Sequence, residues 1–189
     1  MKILFVNACV REASRTRKLA EYLLTKLNGD MEMVDLARTA VFPLDGARLA
    51  LRDDVLRTGN MEADILKYAR QFAQADLIVM AAPYWDLGFP AILKNYLENI
   101  TVAGVTFRYE NGVPRGLCQG KKLVYITTSG GPVFADFGFP YVKALAEGLY
   151  GIRETTCFRA EGLDMDDVCV EERLENVRRQ MDAYLGNGI

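Results

Sequence analysis

Apolar residues along this chain fall into two kinds of run, and their alternation predicts the architecture. Near-continuous apolar runs at 2–6, 77–82 and 122–127 read as strands covered on both faces, the pattern of a parallel sheet. Positions 31–36 and 154–159 supply two further strands. Between these runs the spacing changes to the helical repeat of three and four. Leu19, Leu23, Leu24 and Leu27 share one face of a helix over 14–27, stopped by Asn28-Gly29. Ile65, Leu66, Ala69 and Phe72 mark a helix over 61–74, and further helices are predicted at 90–99 and 139–150. A closing helix over 165–185 carries Val170, Leu174, Val177, Met181 and Tyr184 on one stripe. Residues 40–59, with Pro43 and many charges, read as irregular or short-helical. No repeat, low-complexity tract or linker interrupts this order, so 1–189 is read as one domain. Five strands alternating with helices predict an α/β fold: a doubly wound, five-stranded parallel sheet with helices on both faces.

One segment departs from the rhythm. Residues 105–109 alternate apolar and polar, Asn111-Gly112 is a strong hairpin turn, and Pro114 in the return arm suits an edge position. A ribbon over 105–116, between the third and fourth sheet strands, is expected near the carboxyl ends of the strands, as a lid, a dimer contact or a long loop.

Open α/β sheets bind ligands beyond the carboxyl ends of their strands, at the point where the strand order reverses. Three loops would meet there. The first, 7–18, lacks both the triphosphate loop and the dinucleotide glycine pattern. It offers Ser14 and Thr16 at a helix start, with Arg11, Arg15, Arg17 and Lys18 nearby. An ordinary Ser14 N-cap beside a solvated basic turn accounts for part of this. Basic residues oppose the helix dipole in a first turn, however, and a bound phosphate would reverse that sign. The second loop, Pro83-Tyr84-Trp85-Asp86-Leu87-Gly88-Phe89-Pro90, crowds aromatics where polar turn residues usually stand. It reads equally as a hydrophobic plug, an oligomer contact or a wall for a flat ring. The third, Thr127-Thr128-Ser129-Gly130-Gly131-Pro132, has paired glycines that let backbone amides approach a ligand, or that merely permit a tight turn. Taken together, an anion site and two ring-sized loops suit FMN better than an adenine nucleotide.

Composition narrows the chemistry. Half the residues are hydrophobic and a quarter charged, enough for one continuous core, and the net charge of −2 offers no basic field for nucleic acid or anionic membrane. No apolar run approaches the ~20 residues of a membrane span, and 2–6 is too short for a signal-peptide core. The four cysteines, at 9, 118, 157 and 169, are too sparse for a disulfide framework, so reduced thiols in a cytoplasmic protein are expected. Histidine is absent, which excludes imidazole catalysis and His-ligated metal and favours a borrowed cofactor; no metal site is expected. Cys9 reads as a small buried residue at a strand end.

The chain resembles, over nearly its full length, the flavodoxin-like NAD(P)H:quinone oxidoreductase and FMN-dependent azoreductase family. The likeness rests on residues 6–20, on Ala81–Pro90 with Leu93-Lys94-Asn95-Tyr96, on Ala103-Gly104-Val105-Thr106-Phe107-Arg108-Tyr109, and on Thr127-Thr128-Ser129-Gly130-Gly131. The resemblance implies noncovalent FMN, NADH or NADPH as co-substrate, a small quinone or azo acceptor, and a homodimer. Hydride would pass from nicotinamide through the flavin to the acceptor, with no catalytic side chain required. Carried over by position, Ser14, Thr16 and Arg11 would hold the phosphate. Pro83, Tyr84, Trp85, Asp86 and Leu87 would line the ring, and Thr128, Ser129, Gly130 and Gly131 would reach its pyrimidine edge. Tyr84 and Tyr109 are the phenols open to proton delivery, although core or rim positions explain them equally. Two departures bear on acceptor choice. Asp86 stands where azoreductases commonly have asparagine, and Pro132-Val133-Phe134-Ala135-Asp136 replaces a segment that often carries histidine. A flavodoxin-type electron carrier and a flavin-free interaction protein of the same fold are the alternatives; the near-neutral charge disfavours the carrier.

Overall fold

In the computed structural model, residues 1–186 are described, and the last three positions of the expected 1–189 unit lie outside them. Five strands, β1 (Lys2–Asn7), β2 (Asp30–Asp35), β3 (Leu77–Ala81), β6 (Lys122–Thr128) and β7 (Glu154–Ala160), pair in parallel in the order β2-β1-β3-β6-β7. Alternate residues enter opposite cores because the side-chain period of a strand is two. Ile3, Phe5, Leu77, Val79, Val124 and Ile126 pack with Leu19 and Leu23 of α1 (Arg15–Leu24) and Leu174, Val177 and Met181 of α6 (Val170–Gly186). Leu4, Val6, Ile78, Met80, Leu123 and Tyr125 pack on the other face. There they meet Val55 of α2 (Gly46–Thr58), Phe72 of α3 (Lys67–Gln74), Tyr96 of α4 (Ala91–Ile100) and Val142 of α5 (Phe139–Leu145). Each fully buried large side chain contributes about 1.5–3 kcal/mol. Two-sided coverage explains why the central strands read as unbroken apolar runs, whereas edge strand β2 leaves Met31 and Met33 half exposed.

Helix ends are where the sequence pattern and the fold differ. Within 40–59, read as irregular or short-helical, stands a 13-residue α2, capped by the Asp45 carboxylate on the Arg48 amide (2.8 Å) and closed by Gly59 at φ 73°. Only Val55 of this helix is buried, so no apolar stripe announces it and the caps define it. The 61–74 segment opens with a 3₁₀ turn at Asp64–Leu66 before α3. The expected 139–150 helix ends as a π turn, Ala146–Tyr150, and α6 starts at Val170.

The ribbon forms as β4 (Phe107–Glu110) and β5 (Val113–Gly116), with Tyr109 opposite Pro114, but it stands apart from the main sheet. Its expected place near the carboxyl ends of the strands is not where it lies. Helix α4 runs antiparallel to the strands and delivers the chain to their amino ends. There the Leu117 amide bonds the Thr106 carbonyl and the Gln119 amide bonds Ala73. Gly116 stacks on the Tyr150–Gly151 backbone just before β7, so the ribbon lies opposite the candidate site.

Tyr96 is fully buried, its ring edge-on to Tyr68 at 6.1 Å, and its hydroxyl has no partner among the described residues. Burial holds the phenol far above its ordinary pKa, so it stays neutral. Tyr96→Phe removes an unpaired buried hydroxyl and is expected to leave stability unchanged or raise it by about 1 kcal/mol in chemical denaturation. A comparable loss would mean that the hydroxyl has a partner in solution.

Candidate functional site

The carboxyl ends of β1, β3, β6 and β7 surround a cleft of about 380 Å³, lined by Arg11, Ser14, Thr16, Pro83, Tyr84, Trp85, Thr128, Ser129 and Gly130 together with Val10, Ala13, Arg15 and Asp164. It opens beside β1, whose neighbours β2 and β3 carry the chain to opposite sides; the order reverses there.

One wall is the amino terminus of α1. The Ser14 hydroxyl caps it by accepting the Arg17 amide at 3.3 Å, while the Ser14 amide bonds the Arg11 carbonyl. The amides of Arg15 and Thr16 belong to the first turn, where no helix carbonyl reaches them. No acidic residue stands in that turn, so the positive end of the dipole is left to an external anion. The basic side chains are used differently from the sequence reading. Arg15 is tied to Asp164 (2.6 Å) and the Leu163 carbonyl (3.1 Å), and Arg17 to Glu21 (2.8 Å). Arg11 has no ion pair among the described residues, which leaves its guanidinium available at the cleft. Thr16 is fully buried, and its hydroxyl shares a 2.7 Å hydrogen bond with that of Thr128, joining the first loop to the end of β6. Thr16 is therefore a strut of the wall as well as a lining residue.

The opposite side is backbone-rich. The Tyr84 amide donates to the Thr128 carbonyl (3.0 Å), and the Tyr84 hydroxyl to the Ala135 carbonyl (2.7 Å). Trp85 and Gly88 exchange both backbone hydrogen bonds, so Asp86 and Leu87 become the corner of a two-residue turn with φ of 49° and 66°. Neither residue is among those lining the cleft. Leucine in the left-handed region costs about 1 kcal/mol, held here by a Phe137 amide on the Leu87 carbonyl (2.8 Å). Gly131 also stays outside the lining: its carbonyl accepts the Ser129 hydroxyl (2.6 Å) and the Gly162 amide (3.2 Å), turning it toward the last loop. Gly130 does line the cleft, and a Cβ there would strike the Asp164 carboxylate. Nothing in the sequence points to Asp164, which reaches the site only because β7 lies beside β6, and by sequence alone Arg15 is simply part of the basic turn.

Cys9 is buried at the end of β1, and desolvation pushes its thiol up to about 11, so it is inert as a nucleophile. Tyr109 lies on the ribbon at the far end of the molecule. Among the described residues no cluster of acids and thiols forms a metal site.

The family model described as the flavodoxin-like fold matches residues 1–185. The chain belongs to that family. An FMN-dependent NADH:quinone oxidoreductase of Clostridium acetobutylicum is 37% identical over 188 residues, covering 93% of each chain. One from Caldicellulosiruptor saccharolyticus is 34% identical over 193 residues, covering 95% of each. Among solved structures, a Bacillus anthracis azoreductase superimposes with a TM-score of 0.78 at 25% identity, over 97% of this chain and 98% of that one. A second flavodoxin-like neighbour from that organism, an FMN-dependent NADH-azoreductase in complex with FMN, gives a TM-score of 0.83 at 24% identity with 99% of both chains covered, which bears on the fold.

Proposed function

We propose that this chain is an FMN-dependent NADH oxidoreductase acting on flat quinone or azo acceptors. The observation that carries the reading is a single cleft with an acid-free helix start at one end and an aromatic, glycine-bearing wall at the other. The residues present fit FMN. The Arg15 and Thr16 amides, the Ser14 hydroxyl and the Arg11 guanidinium would hold the phosphate. Pro83, Tyr84, Trp85, Thr128, Ser129 and Gly130 would border the ring, with Gly130 leaving room where a side chain would fill the wall. The named relatives are FMN-dependent and use NADH, which favours NADH over NADPH. When bound, FMN would supply the two-electron hydride chemistry between nicotinamide and acceptor.

The chain's own residues have passive tasks. The α1 terminus neutralises the phosphate, Trp85 offers a flat surface, and the Thr16–Thr128 bond keeps the two walls in register. The Tyr84 hydroxyl is committed to the Ala135 carbonyl, which suits a structural role.

A cytoplasmic homodimer completes this reading. Four free thiols suit a reducing compartment. A groove lined by Leu44, Arg52, Leu97, Glu98, Thr101, Tyr141 and Leu145, with the large apolar side chains of Phe42 and Leu49 exposed on the same stretch of chain as Leu44, supports a second copy docking on this face.

The purified protein, as isolated or after adding FMN, is expected to show the yellow flavin spectrum and to lose it under anaerobic NADH. Colourless protein that ignores added FMN would sink the proposal. Bleaching by a partner reductase but not by NADH would make the chain a carrier instead.

A further inference from the structure

The loop after β6 holds a half-buried ionic group that the ligand cleft does not use. Arg159, in register with Thr127 near the end of β7, is 27% exposed and lies against Asp136, itself 17% exposed; Glu161 stands 3.4 Å away. Both carboxylates also hold backbone. Asp136 accepts the Gly138 amide at 2.7 Å, and Glu161 accepts the Val133 amide at 3.0 Å. The segment 132–138 is thereby fastened to β7 at two points. It is fastened to the 83–88 turn at two more, through Tyr84 to the Ala135 carbonyl and the Phe137 amide to the Leu87 carbonyl. On this segment Phe134 is 82% exposed and Phe137 67% exposed, and Phe137 adjoins Gly88, the residue paired with Trp85. Large aromatics left in water beside a cleft are unusual unless something is meant to cover them.

We propose that Arg159 is a positioning residue: through Asp136 and Glu161 it locks the 132–138 segment onto the 83–88 turn, and so sets where Phe134 and Phe137 stand to receive a flat, apolar acceptor at the cleft mouth. The acceptor half of this rests on the oxidoreductase reading above; the locking half does not. Physically, the guanidinium is the one cation paired with these two partly desolvated carboxylates among the described residues. Without it they repel each other, and the amides of Val133 and Gly138 lose fixed acceptors. The exposed aromatics then sample many positions, and acceptor binding weakens while the phosphate end of the flavin site, built from Ser14, Thr16 and Thr128, is untouched.

The full chain carries one tryptophan, Trp85, on the turn to which the segment is tied, so its acrylamide quenching reports the lock without flavin or acceptor. Arg159→Gln and Asp136→Asn are each expected to raise the quenching constant about twofold and the KM for 2-methyl-1,4-naphthoquinone about fivefold, with kcat and the FMN Kd within about twofold of wild type. Arg159→Gln breaks both ion pairs and Asp136→Asn one of them, so the double variant should match Arg159→Gln. Arg159→Lys should recover part of the effect. Should Arg159→Gln fail to fold, Asp136→Asn, a change of charge alone, decides. Wild-type quenching and KM in a folded variant would overturn the proposal, as would a lower melting temperature with both unchanged. Absent NADH turnover in the wild type would remove the oxidoreductase reading and the acceptor half with it, whereas Trp85 quenching would still decide the locking half.

Discussion

Replacing Ser14 with aspartate is expected to leave the first helix intact while weakening FMN binding about 100-fold. Aspartate caps a helix as well as serine does and adds a favourable charge at the positive end of the dipole, so the Arg17 amide keeps its acceptor. The same carboxylate would face the phosphate proposed to sit at that helix start. Two like charges about 4 Å apart repel by about 4 kcal/mol in the partly wet surroundings of a protein surface. Some of this is relieved by Arg11, leaving about 3 kcal/mol, or about two orders of magnitude in Kd. Riboflavin, which lacks the phosphate, should bind the variant and the wild type alike, and the FMN penalty should shrink as salt is raised. Fluorescence titrations with both flavins make the comparison. Equal losses for the two would mean that the helix start does not face the phosphate.

The second large effect concerns stability at the other end of the sheet. A Cβ at Gly116 would run into the Tyr150 carbonyl and the Gly151 amide, which are backbone and cannot swing aside. Tyr150 is itself buried, edge-on to Phe72 at 5.1 Å and hydrogen-bonded to Thr101 at 2.6 Å. Gly116→Val must therefore lift the ribbon or displace the π turn, at a cost of about 2 kcal/mol, which lowers the melting temperature of a chain this size by about 4–8 °C. FMN affinity should not change, because ribbon and cleft lie at opposite ends of the strands. A ribbon acting as a lid would give the reverse pattern, weak flavin binding with little loss of stability.

That contrast marks where local sequence stops carrying information. Whether residues 105–116 form a hairpin is decided by alternation and by Asn111-Gly112, and the hairpin is present. Where the hairpin lies is decided by the direction and length of α4, a property of packing. For the same reason the length of α2 is not legible: with only Val55 buried, its apolar residues follow no stripe, and its bounds depend on Asp45 and Gly59 at its ends. The aromatic loop was legible as an anomaly, yet its corner was not. Left-handed backbone at Asp86 and Leu87 follows from Trp85 and Gly88 pairing with each other, which sequence order alone does not announce.

The chain itself determined the sheet, the helices on its two faces and the three loops gathered at one rim. Those follow from the periods of apolar residues and from hydroxyls and glycines at loop positions, which are local facts. Only the folded arrangement decided the partners those loops would find: Asp164 for Arg15, Thr128 for Thr16, Asp136 for Arg159. Each pair joins residues far apart in the chain, and a charge or hydroxyl does not declare its partner until the strands carrying it are set side by side.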